Sequence, residues 1–210
     1  MKKVSLRLFI TILMVFVIPY VLCAQQVEAP VYRDGDWWKI KVEVSHTKGL
    51  MREGRCDEMY SEYVVKIGQG NPKVYGVKAD GQEELDCPII TTQLLGKPSE
   101  GEESLVKYLE FPLAVGRSWT SRFPEQQTKV SRKFGTRTRW IELEHNTLSW
   151  EKVRVPKGEL EAFKIQVSGW PGGEVRTYYY APKAKAIIGL QWISPQTMRR
   201  MNLVDFNASE

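Results

Sequence analysis

Histidine is scarce in this chain, with His46 and His145 the only two. They lie about a hundred residues apart, outside any H-x-H or H-E-x-x-H spacing, which leaves no motif for a histidine-based metal site. No G-x-S-x-G occurs, so the exposed serine on a sharp turn that Ser-His-Asp hydrolases use has no counterpart. The lone G-x-G at Gly68 to Gly70 runs into Asn71-Pro72 instead of a helix, which excludes a dinucleotide fingerprint. No segment shows convincing helical periodicity beyond two turns. Taken together, these absences predict no catalytic residue, no metal and no cofactor.

Net charge is also modest once the N-terminus is set apart. Lys2, Lys3 and Arg7 precede an apolar run from Leu8 to Val17, interrupted only by Thr11. Pro19 then breaks the run before Cys23 and Ala24. That order of charge, apolar core and small residue is a bacterial secretory signal, removed before folding is considered. Cleavage after Ala24 fits best, assigning residues 1–24 to the signal. The competing reading is a lipoprotein signal acylated at Cys23, although the residue before such a cysteine is normally small and Leu22 stands there. Retention as a membrane anchor is the other alternative, the apolar run being near the lower limit of roughly 17 residues for a span. In every case the chain is exported, to the periplasm or beyond. Without those three cations the formal charge of +5 falls to +2, and a sequence pI near 9.0 ceases to argue for nucleic acid.

Cysteine is limited to three residues, and export sorts them. Cys23 leaves with the signal or carries a lipid, while Cys56 and Cys87 form an even pair in an oxidising compartment and are predicted to be a disulfide. Closing a loop of about thirty residues stabilises by about 3 to 4 kcal/mol in the chain-entropy model.

What the chain does have is strand-like alternation punctuated by glycine and proline. Residues 25–33 read as a tether and residues 34–210 as one domain. Trp38, Ile40, Val42 and Val44 share one face of a first strand, against Trp37, Lys39, Lys41 and Glu43. Glu62 to Gly68 and Val74 to Lys78 form a hairpin, Leu94 to Glu103 a loop, and Leu105 to Phe111 another strand. Trp119 opens a strand to Phe123. Trp140 to Leu143 and Leu148 to Val155 make strands around a Glu144-His145-Asn146 turn. Pro156-Lys157-Gly158 then turns the chain into Phe163, Ile165 and Val167. Leu160 and Ala162 fall on the opposite parity, requiring either a β-bulge or a turn of helix. Val175 to Tyr180, Ala186 to Ile193 and Met201 to Phe206 complete the set, the last closing the sheet. The expected fold is all-β, an antiparallel β-sandwich or an open or half β-barrel.

Three stretches carry a resemblance: F-P-L-A-V-G-R-S-W at 111 to 119, V-P-K-G-E-L-E-A-F-K-I at 155 to 165, and T-Y-Y-Y-A-P at 177 to 182. Together they resemble an uncharacterised family of exported bacterial proteins. Its pattern is an aromatic-Pro-Leu…Gly…Trp, a Val-Pro-x-Gly…Phe-Lys-Ile hairpin and an aromatic-rich strand ending in Ala-Pro. The chain departs from it at Leu160, where phenylalanine is usual, and at Lys157, where a small residue is usual. The resemblance covers roughly the C-terminal half, and it implies export and a β fold while supplying no catalytic residue. At the level of architecture alone the chain is also similar to the half-barrel carriers of envelope lipoproteins.

Aromatic residues are the enriched feature. All seven tryptophans lie beyond the signal, and Tyr178, Tyr179 and Tyr180 are consecutive. Most should be core, which leaves Trp37, Trp170 and Tyr179 as candidates for contact with a ligand, either a sugar or an acyl chain. Lys129, Arg132, Lys133, Arg137 and Arg139 form a basic run, read as a solvated loop and strand face or as a contact for anionic head groups or polysaccharide. Glu83-Glu84, Glu102-Glu103 and the pair Glu142 and Glu144 are read as solvated charge. In the competing reading, a polysaccharide hydrolase would use Glu142 or Glu144. The favoured expectation is a non-enzymatic envelope or secreted domain whose partner is a lipid, another envelope component or a protein, with no nucleic acid involved. A purely structural envelope protein is a further alternative.

Overall fold

The computed structural model describes residues 25–46, 56–96, 106–127, 137–193 and 197–209. Alternation becomes strands along most of this length. In chain order they are β1 (Gln26–Val27), β2 (Trp37–His46), β3 (Glu62–Gly68), β4 (Asn71–Lys78), β5 (Gly81–Leu85), β6 (Leu113–Ala114), β7 (Ser118–Gln127), β8 (Arg137–Val155), β9 (Gly158–Ser168), β10 (Arg176–Ala181), β11 (Ala186–Ile193) and β12 (Thr197–Asn207), with one helix, α1 (Pro88–Leu95). Ten of the strands form an antiparallel sheet of order β5-β4-β3-β2-β12-β11-β10-β9-β8-β7, and β1 pairs with β6 separately. The fold is therefore all-β and antiparallel. The large sheet is open, its edges being β5 and β7.

β12, which contains the Met201 to Phe206 strand expected to close the sheet, lies in its middle, bonded to β2 on one side and β11 on the other. The last strand thus joins the N-terminal meander to the C-terminal one. The inner face follows the period of two: Trp38, Ile40 and Val42 of β2, Met201 and Leu203 of β12, and Tyr178 and Tyr180 of β10 are all buried.

Helix α1 replaces part of the loop expected from Leu94 onward. Pro88 opens its first turn, and Gly96, at φ +71°, ends it by donating its N–H to the Thr92 carbonyl at 2.9 Å. Its periodicity is invisible in the sequence because it lacks a polar face: every residue from Ile90 to Leu95 is buried. The helix touches both β4 and β11, which are four strand spacings apart, so the sheet curls around it. A Cβ on Gly96 would run into Leu109, whose chain crosses the end of the helix. Residues 106–110 are irregular where a strand was expected, although Val106, Tyr108 and Leu109 are buried.

Three β-bulges bend the sheet. Leu148, Ile188 and Val204 are the extra residues where the β8–β9, β10–β11 and β12–β2 pairings shift register. β9 itself carries neither the bulge nor the helical turn expected at Leu160 and Ala162; it runs unbroken from Gly158 to Ser168. The Leu148 bulge is the nearest irregularity. It lies on the partner strand, and Ala162 and Phe163 are both fully buried, so both faces of β9 are covered there. β8 is one continuous strand of 19 residues, and no turn interrupts it at Glu144-His145-Asn146. Its hairpin with β9 turns at Pro156-Lys157, with Gly158 at φ +135°. The hairpin tip folds against β12, where Lys157 Nζ donates to the Phe206 carbonyl at 2.5 Å and pairs with Asp205 at 2.6 Å.

The stretch expected to be a free tether is docked in part. Gln26 and Val27 pair with Ala114 and Leu113, Tyr32 packs edge-on against Trp38 at 5.8 Å, and its hydroxyl donates to the Lys185 carbonyl at 3.1 Å. Cys56 and Cys87 form the expected disulfide, with Cα atoms 5.6 Å apart.

Candidate functional site

Among the described residues, two of the depressions and two of the buried polar clusters bear most on what this architecture could do. The first depression is a cleft of about 680 Å³ where β3 to β5 meet α1. Ile67, Val74, Leu85, Pro88 and Leu95 make it apolar, Tyr32 lines it, and Lys73, Glu84 and Asp86 lie on its polar side. The disulfide stands in its wall through Cys87. The cleft lies where β3 to β5 of the curled sheet meet the eight-residue helix, with Pro88, Thr91 and Leu95 on the helix side and Gly70 to Val74 on the hairpin side. An apolar floor with a few polar groups is the usual make-up of a small-molecule site.

The second depression, about 480 Å³, lies on the opposite face of the sheet, between the hairpin residues Val153 to Pro156 and the strands β10, β11, β12 and β2. The bulge residues Ile188 and Val204 both line it. Tyr179 lines it too, on the face opposite Tyr178 and Tyr180, as alternation requires.

Among the three candidate aromatics, only Tyr179 reaches one of these depressions. Trp37 is half-buried on β2 and lines neither. Trp170, expected at the surface, is only 7% exposed. The Arg176 guanidinium lies 3.3 Å from the centre of its ring and 3.9 Å from that of Trp192 on the other side. Burial pushes the Arg176 pKa down, countered by the electrostatic pull of Tyr108 and Glu174. Trp192 Nε1 donates to Glu174 at 2.6 Å, which ties the sandwich to the loop before β10. Its role is to pin that loop. The exposed ring that alternation did not single out is Trp140, at 54%.

Within the basic run, Arg139 is exposed, and Arg137 begins β8. Lys129, Arg132 and Lys133 lie outside the described residues, as do Cys23 and the signal segment. Glu142 and Glu144 are both exposed and line neither depression. The described residues contain no cluster of three or more metal-ligating side chains.

His145, expected at a turn, is instead fully buried in β8. Its ring stacks on Trp119 at 4.9 Å and 11°. Nε2 lies 2.7 Å from Ser121 Oγ, and Nδ1 lies 3.1 Å from the Tyr178 hydroxyl. The single proton of that hydroxyl goes to the Tyr108 carbonyl, so the tyrosine oxygen accepts from Nδ1–H and Nε2 accepts from Ser121. Burial lowers the His145 pKa to about 4, against a small opposing pull from Glu110, which keeps the ring neutral at pH 7. The serine–histidine–tyrosine order matches that of a nucleophile, base and orienting group. Here, however, the chain ends on a backbone carbonyl and the serine is itself buried. As placed, it satisfies polar groups and aligns β7, β8 and β10.

The other buried cluster centres on Arg199 of β12. It pairs with Asp57, next to the disulfide, and donates to Gln93 of α1 at 3.0 Å, with Arg199 0% and Asp57 1% exposed. One guanidinium thereby connects the sheet, the disulfide turn and the helix that walls the cleft.

No protein-family model matches the chain, and no curated protein matches it. Among solved structures it is similar to the hypothetical lipoprotein YmcC from Escherichia coli K12, over 100% of both chains, at 9% sequence identity and a TM-score of 0.39. At that similarity the likeness assigns no residue a role.

Proposed function

We propose that the chain is an exported, non-enzymatic β-domain of the cell envelope that holds an apolar or amphiphilic ligand in the cleft beneath α1. The observation that carries this reading is the cleft itself, where a buried apolar floor (Ile67, Val74, Leu95) opens beside charged side chains (Lys73, Glu84, Asp86). An acyl chain or similar group would replace water against the floor, gaining roughly 25 cal/mol per Å² of apolar surface covered. Its polar end would meet the charged side. The signal-like N-terminus supports an envelope location, since lipids and amphiphiles are abundant there.

A displacement assay tests this. The purified protein is titrated with N-phenyl-1-naphthylamine, and a fatty acid is then added as competitor. The expected result is saturable probe fluorescence that the fatty acid displaces and that Thr91→Trp, which fills the cleft, abolishes. Probe binding that Thr91→Trp leaves unchanged would refute the assignment of the cleft. Extraction of protein purified from its native envelope, with no lipid above a control, would count against the lipid form of the reading.

A further inference from the structure

The groove on the outer face is independent of the cleft and has a different chemistry. Register places Lys164, Tyr179, Gly189, Asn202 and Lys41 opposite one another on five successive strands, β9, β10, β11, β12 and β2. This row spans about 19 Å, four strand spacings of roughly 4.8 Å each. At its centre Gly189 contributes no side chain, and the edge of the Tyr179 ring lies over it: a Cβ there would stand 3.5 Å from Tyr179 Cδ2. The Tyr179 side chain therefore leans over the space that Gly189 leaves open. A second row, Thr177, Gln191, Arg200 and Glu43, runs alongside. The hairpin forms the wall, with Arg154 and the apolar Val153, Val155 and Pro156.

The charge in the groove is one-sided. Its lining includes Lys41, Arg154 and Arg200 and no acid. Lys164 adds a fourth cation, its Nζ 6.0 Å from the centre of the Tyr179 ring. The acids nearby are Glu43, paired with Lys41 at 2.8 Å, Glu62, opposite Lys41 on β3 and paired with Lys39 at 2.8 Å, and Glu159, opposite Arg154 across the hairpin. Positive charge stays in excess after all three are counted, since Glu62 is itself neutralised by Lys39. Asn202 and Gln191 offer amides that donate to and accept from hydroxyl groups.

We infer that this groove binds an acidic polysaccharide chain. Tyr179 in the groove lining supplies an aromatic ring on which a pyranose can stack. The amides suit its hydroxyls, and guanidinium groups bind carboxylates through paired, charge-assisted hydrogen bonds. The row is long and crosses the strands, which fits an extended chain better than a compact ion. A flat anionic lipid surface would need these cations on a protruding face, but they line a recess walled by the β8–β9 hairpin.

Isothermal titration of the full protein with trigalacturonate, and with neutral maltotriose as control, tests the inference. The acidic trisaccharide is expected to bind and the neutral one not, with affinity falling as salt is raised. Arg200→Ala and Tyr179→Ala should each weaken binding about tenfold or more. Arg200 is exposed, so its variant keeps the test valid if Tyr179→Ala fails to fold. Equal binding of both sugars, no binding of either, or binding that neither variant alters would overturn the inference. So would phosphatidylglycerol vesicles that bind through Arg200 when the trisaccharide does not. The naphthylamine probe, bound in the cleft, should respond identically in wild type and Arg200→Ala, so that failure of either site is read separately.

Discussion

Lowering the pH should expose the buried state of His145. Its imidazole is fully buried, with Trp119 on one face, Ser121 at Nε2 and Tyr178 at Nδ1. No carboxylate touches the ring; the nearest acid to influence it is Glu110, itself paired with Lys107 and Arg117. In the unfolded chain the ring titrates near 6.5, and in the fold near 4. Above pH 6.5 both states hold neutral histidine and nothing is lost. As pH falls through 6.5 the unfolded state takes up a proton that the folded state refuses, and stability declines until the folded ring titrates near 4. The full loss is about 3 kcal/mol, and about 2 kcal/mol of it has appeared by pH 5. Urea unfolding at pH 7.5 and pH 5, for wild type and His145→Gln, isolates the contribution, because the other acids cancel in the double difference. The wild type should lose about 2 kcal/mol more than the variant over that interval. Equal pH dependence in the two proteins would refute the assignment of a neutral, solvent-excluded imidazole.

Two further predictions concern the framework of the cleft. Replacing Cys56 and Cys87 by serine should lower stability by about 3 to 4 kcal/mol, measured by urea unfolding under oxidising conditions, and adding reductant to the wild type should reproduce the loss. Arg199→Met leaves Asp57 buried beside an apolar group and should cost about 3 to 5 kcal/mol, while Arg199→Met with Asp57→Leu should recover much of it. Additive losses in the double variant would show that the two charges do not act as a pair.

Alternation along the chain was enough to place most strands and to separate the faces of β2, because a half-buried strand writes its environment into every second residue. The Pro156-Lys157-Gly158 turn and the disulfide were legible for similarly local reasons: backbone chemistry in the first case, and in the second two cysteines left to pair once the signal-like N-terminus is set apart. α1 was not legible, since a helix buried all round has no polar stripe. His145 was misplaced because Glu144 and Asn146, its neighbours, resemble a turn, whereas the strand that holds it is recognised only through its partners β7 and β9. Trp170 next to Pro171 reads as a surface loop, and nothing local shows that the Arg176 guanidinium covers its ring. Of the site candidates, Tyr179 could be found by parity. Lys41, Arg154 and Arg200 could not, since they lie far apart in sequence and meet only across the sheet.

The sequence by itself determined an all-β antiparallel chain with one disulfide, because each of these rests on residues within a few positions of one another or on composition. Tertiary structure alone decided that β12 sits at the centre of the sheet and that the sheet curls around one short helix. It also decided that three bulges and the long β8–β9 hairpin leave a cationic trough over Tyr179. Strand order and curvature arise from pairings between distant segments, and one extra residue in a strand moves every side chain beyond it to the other face. Both the cleft and the groove depend on such pairings, which no local stretch of this chain encodes.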